Sequence, residues 1–153
     1  MRVKEHFYRN AEHAIPSALR DEVIGVLKTV DALRNDGTRA LRQKVLDKLQ
    51  NKGWSDSARI HNASKISVTS MKENIALCLQ TGNMSRFYAD LLKLETLFRN
   101  GSIKGAIYVL PTKTFATELG SNIANFERLV EELGIFYVTL STPILVLGIT
   151  KGN

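Results

Sequence analysis

Pro16 and Ser17 open a stretch whose apolar residues fall at Leu19, Val23, Val26, Leu27, Val30 and Leu33. This is the three-to-four spacing of an amphipathic helix, ending near Asn35-Asp36-Gly37. A second helix is predicted directly after it, with Thr38 as N-cap, Leu41, Val45, Leu46 and Leu49 as buried stripe, and Asn51-Lys52-Gly53 as stop. The hydroxyl- and amide-rich segment from Ser55 to Ser64 has no helical period and reads as a loop. Ile66 and Val68, then Ile75 to Leu79, predict two strands joined across Met71-Lys72-Glu73-Asn74. Asn83 can cap a third helix with the stripe Met84, Phe87, Tyr88, Leu91, Leu94 and Phe98, closed by Asn100-Gly101. Ile103 to Leu110 reads as a buried strand stopped by Pro111. A short helix near Thr114 to Leu119 and a longer one near Asn122 to Leu133 follow, and strands are expected at Phe136 to Leu140 and Ile144 to Leu147. The order predicts an α/β fold, a mixed β-sheet flanked by helices with two of them N-terminal, and a single domain over residues 1–153.

Composition narrows the function. With 153 residues, 44% of them hydrophobic, the chain can bury a continuous core, and 3 prolines and 10 glycines fit neither a disordered nor a fibrous chain. No apolar run is long enough to span a bilayer, and Met1-Arg2-Val3-Lys4-Glu5-His6 lacks the apolar centre of a signal peptide, so no membrane association and a cytoplasmic location are expected. A single cysteine, Cys78, excludes an internal disulfide framework. The histidines His6, His13 and His61 lack the spacing of a zinc site, and no glycine-rich phosphate loop occurs.

The net charge of +6 is concentrated. Arg39, Arg42, Lys44, Lys48, Lys52, Arg59, Lys65 and Lys72 stand against only Asp47 and Asp56, while the remaining chain balances. Such a segment suits a polyanion, because Lys and Arg release counterions condensed on phosphates; its ordinary alternative is a solvated helix face. Lys44, Lys48 and Lys52 form a row four residues apart, Arg59 and Lys65 lie in or beside the donor-rich loop, and Arg86 and Lys93 lie seven apart on the third helix. These residues are candidate DNA contacts, with base reading expected from the Ser55 to Lys65 segment. Trp54 reads as a helix-end packing residue.

The strings Ile75-Ala-Leu-Cys-Leu-Gln-Thr-Gly-Asn83, Arg86-Phe-Tyr-Ala-Asp90-Leu-Leu-Lys-Leu and Gly105-Ala-Ile-Tyr-Val-Leu-Pro111 resemble BglII-like type II restriction endonucleases over roughly Ile66 to Leu147. The resemblance implies the restriction-endonuclease-like fold, a homodimer acting on palindromic double-stranded DNA, and Mg²⁺ held by an Asp at one hairpin strand and the Glu of a Glu-x-Gln on the next. Aligned on Gln80, which would lie beside the scissile phosphate, Cys78 takes the place of that Glu, and Thr69 or Ser70 the place of the Asp. Mg²⁺ prefers hard anionic oxygens, which this set does not offer. Glu73 and Glu22 are the candidate displaced metal ligands, and Gln80, Glu73, Cys78 and Thr69 the candidate catalytic set. Cys78 read by itself is a core thiol on an apolar strand. The leading reading is a DNA-binding protein of this class that hydrolyses double-stranded DNA at a specific site with Mg²⁺ if the displaced carboxylates complete the metal site. Two alternatives stay open: a catalytically inactive DNA-binding or regulatory homologue, and an α/β interaction domain without a nucleic-acid role.

Overall fold

The computed structural model describes residues 1–31 and 37–152. Leu33, Asn35 and Asp36, assigned by pattern to the end of the first helix, lie outside the described residues. The main sheet has five strands, β1 (Arg2–Tyr8), β4 (Ser70–Lys72), β5 (Ile75–Leu79), β6 (Gly105–Pro111) and β7 (Ile144–Thr150), in the order β1-β7-β6-β5-β4. The central strands β5, β6 and β7 run parallel, while β1 and β4 are antiparallel edges.

Because side chains alternate across a strand, each central strand feeds two cores. Leu77, Ile107 and Leu145 face the layer of α1 (Ala11–Ala14), α2 (Ser17–Thr29), α3 (Thr38–Gln50) and α5 (Lys113–Leu119). Cys78, Tyr108 and Val146 face α4 (Arg86–Arg99) and α6 (Phe126–Ile135). Burial on both faces explains why these strands read as unbroken apolar runs. Gly148 on β7 matters for the second core: a Cβ there would lie 2.7 Å from Phe126 Cγ. Gly148→Ala is therefore expected to lower stability by about 1–3 kcal/mol through overpacking, measured as a shift in the urea midpoint.

Four expectations change. Strand β1 is absent from the pattern because, as a sheet edge, it reads Arg2-Val-Lys-Glu-His-Phe-Tyr8 and exposes most of these side chains. The hairpin turn is only Glu73-Asn74, at φ 49° and 63°, so Met71 and Lys72 belong to β4. Val68 lies in β3 (Ser67–Val68), which pairs with β2 (Ala58–Arg59) in a separate two-stranded sheet inside the segment read as a loop. Phe136 to Val138 form a 3-10 turn rather than a strand. There Tyr8 donates its hydroxyl to the Leu140 carbonyl at 2.6 Å and Arg9 donates to the Tyr137 carbonyl, satisfying groups that a ladder would have used. The helix boundaries also move: Gly37 rather than Thr38 caps α3, and Asn125, accepting from the Arg128 backbone N–H, caps α6.

Candidate nucleic-acid interface

Strand β5 ends at Leu79, and the chain leaves the sheet through Gln80, Thr81 and Gly82 before α4 begins. The start of α3 and the segment from Ser67 to Thr69 approach the same point, and together they enclose a pocket of roughly 520 Å³. Arg39 and Arg42 reach it from α3, and Arg86, Asp90 and Lys93 from α4. The α4 residues recur at three-to-four spacing, so one helix face delivers all three.

Asp90 is the buried centre of this pocket. Its Oδ2 accepts from the Tyr108 hydroxyl and from Gln80 Nε2, both at 2.8 Å, and its Oδ1 faces Lys93 Nζ at 3.2 Å. Gln80 Oε1 in turn accepts from the Gly82 backbone N–H at 3.0 Å. Burial, reinforced by Asp90, pushes the Tyr108 hydroxyl well above its ordinary pKa, so it stays protonated and donating. Arg42 donates to the Leu79 carbonyl, fixing α3 to the end of β5, and burial lowers its guanidinium pKa even though Asp90 opposes the shift. Thr69 Oγ1 accepts from the Leu79 backbone N–H at 3.1 Å, replacing a ladder bond at the sheet edge.

The sequence-predicted residues divide by position. Gln80, Thr69 and Arg86 meet in the pocket. Cys78 is 1% exposed, and burial followed by the Asp90 charge pushes its thiol pKa far up, which leaves it a packing residue and not a nucleophile. Glu73 is not brought to Gln80: it occupies the turn at the opposite end of β5, about 20 Å away at the rise of an extended strand. Glu22 belongs to that far end too, accepting from Trp54 Nε1 and Lys72 Nζ, each at 2.8 Å. Burial there works against the charge, but the Lys72 and Trp54 hydrogen bonds outweigh it and hold the Glu22 carboxyl below its usual range. Lys48 and Lys52 line a second groove with Glu22 between α2 and α3, away from the pocket, while Arg59 is exposed on β2 and Lys65 on the chain leading to β3. By pattern, Arg39 and Arg42 read only as part of the basic segment, and Asp90 and Tyr108 only as members of the family-like strings, none of the four as an individual site residue. A long helix carrying Arg86, Asp90 and Lys93 on one face was the available signal.

The family model for restriction endonuclease BglII/BglIII matches residues 3–149. The chain belongs to this family. Among solved structures, restriction endonuclease BglII complexed with a DNA 16-mer is similar at TM-score 0.86 and 16% identity, over 99% of this chain and 78% of that one. Free BglII is similar at TM-score 0.79 and 17% identity, over 99% and 81%. No curated protein matches the sequence. The restriction-endonuclease fold is thereby shown, in agreement with the mixed sheet and its flanking helices.

The Mg²⁺ implied by membership of the BglII/BglIII family does not fit these residues. Among the described residues no group of three His, Cys, Asp or Glu side chains could hold a metal ion. Among the described residues Asp90 is the one carboxylate lining the pocket, its oxygens are already engaged by Lys93, Gln80 and Tyr108, and Arg39, Arg42, Arg86 and Lys93 line the same pocket. A dication gains little from one neutralised carboxylate among guanidinium groups.

Proposed function

We propose that this protein binds double-stranded DNA as a member of the BglII/BglIII family that has lost metal-dependent phosphodiester hydrolysis. The observation that carries this reading is the pocket at the end of β5, where, among the described residues, Arg39, Arg42, Arg86 and Lys93 stand with a single committed carboxylate, Asp90. Those side chains suit a phosphate backbone and not a cation. Ser57, Ser67 and Val68, in and next to the short strands of the β2–β3 hairpin, line the pocket, which supports a role for that hairpin and its exposed Arg59 and Lys65 in contacting the duplex, whereas Lys48 and Lys52 face the separate groove beside α2. Among the described residues no helix is long and apolar enough to cross a membrane.

A homodimer belongs to the same reading, since a two-fold assembly would match a palindromic duplex. It is supported by the exposed apolar side chains of Ile135, Tyr137 and Val138 at the end of α6, with Val138 92% exposed. Sedimentation of the free protein and of its DNA complex measures the stoichiometry.

The expected result with mixed-sequence duplex DNA is retention without cutting, in Mg²⁺, Mn²⁺ or EDTA. Log affinity should fall linearly with log salt, with a slope near −0.9 per phosphate neutralised. Discrete metal-dependent fragments would overturn the loss of hydrolysis, and absent or salt-insensitive binding would overturn the DNA reading.

A further inference from the structure

We propose that the pocket at the end of β5 is a metal-independent phosphodiester clamp, in which guanidinium and ammonium groups hold the DNA backbone without a divalent cation. This inference rests on the DNA-binding reading and adds which atoms hold the strand. Among the pocket's side chains, Arg39, Arg42, Arg86, Lys93 and Thr69 can donate to a ligand. Among the described residues the exposed side chains of Arg39 and Arg86 have no hydrogen-bond or ion-pair partner, so both forks are available to a ligand. Arg42 uses one N–H on the Leu79 carbonyl, and the cost of burying its charge falls when an anion arrives. Thr69 accepts from the Leu79 backbone N–H, which leaves its own O–H free to donate.

The remaining parts keep the clamp open and charged. Lys93, Tyr108 and Gln80 engage both oxygens of Asp90, which weakens its competition for the two free arginines. Gly82 leaves the mouth clear: a Cβ there would stand 3.0 Å from Gln80 Oε1 and 3.4 Å from Arg86 Nη1, crowding both side chains. A monoanionic tetrahedral group with two free oxygens matches the arginine forks, as in other Arg–phosphate pairs. A nucleic-acid phosphodiester is favoured over a small free anion because the pocket opens beside the exposed β2–β3 hairpin with Arg59 and Lys65, where a continuous polymer can extend.

The clamp is tested by fluorescence anisotropy of a labelled mixed-sequence duplex at matched ionic strength in EDTA and in Mg²⁺, with thermal melting in inorganic phosphate alongside. Wild type is expected to bind equally in both buffers. The Arg39→Ala/Arg86→Ala double variant should bind at least tenfold more weakly, with a smaller salt slope and an unchanged melting temperature without ligand. Asp90→Asn, which keeps the shape while removing the carboxylate charge, should bind as tightly as wild type or several-fold more tightly. Binding that requires Mg²⁺ and is lost in Asp90→Asn would overturn the clamp in favour of a metal site. Full affinity in the double variant would overturn the pocket assignment and leave DNA binding standing. Phosphate-induced stabilisation of wild type with no DNA retention would overturn the DNA reading and leave an anion pocket.

Discussion

Replacing Glu95 by glutamine is expected to lower stability at pH 7 by on the order of 3 kcal/mol, seen as a fall of roughly 10 °C in melting temperature. Glu95 lies on α4 with only 11% of its side chain exposed. Burial opposes its charge, but the Thr142 hydroxyl at 2.6 Å, the backbone N–H groups of Ser141 and Thr142 at 3.0 Å and Arg99 outweigh it, holding the carboxyl down to about 2. The carboxylate thus closes the turn that delivers the chain into β7. Because the folded pKa lies below the ordinary value of 4.5, this stabilisation is complete above that pH and is lost as pH falls from there through about 2. The gap between wild type and Glu95→Gln should therefore narrow across this window. A constant gap down to pH 2 would refute the assignment. Glu95→Ala should be worse at neutral pH, since it leaves the Ser141 and Thr142 N–H groups without an acceptor.

Arg42→Ala is expected to weaken duplex DNA binding at least tenfold and to lower the salt slope by about one, while also costing stability. Arg42 differs from Arg39 and Arg86 because it has two duties. It ties α3 to the Leu79 carbonyl, and it places a partly buried cation beside Asp90. Removing it leaves a carbonyl unpaired and weakens the charge balance of the pocket. Arg42→Lys keeps the charge but loses the planar fork, so stability should recover further than affinity. Equal recovery of both in Arg42→Lys would mean that the fork has no part in holding the strand.

What was legible beforehand follows from the physics of each element. The helix stripes of α2, α3 and α4 and the runs of β5, β6 and β7 are buried strongly enough for periodicity to reveal them. Strand β1 is different, because its pairing with β7 is written in backbone hydrogen bonds and its side chains look like surface. The apolar run from Phe136 resembles a strand, yet Tyr8 and Arg9, more than 120 residues away in sequence, take the carbonyls that decide its shape. The candidate site shows the same division. Gln80 and Arg86 were legible through their motif, whereas the distance of Glu73 and Glu22 from the pocket depends on which end of β5 each approaches. Asp90 stands in the same string as Arg86, but its role as the pocket's buried acceptor depends on Tyr108, on a strand 18 residues later, which donates to it.

The position of β7 between β1 and β6 also governs how this chain can assemble as it is made. Residues 2–8 are made well before residues 144–150, their partners in the sheet, and cannot join it until residue 150 has followed them. At about 5–20 residues per second, β1 waits on the order of ten seconds for its neighbour. Its Lys4, Glu5 and His6 keep that waiting segment polar, and so poorly suited to pairing with the edge of another newly made chain.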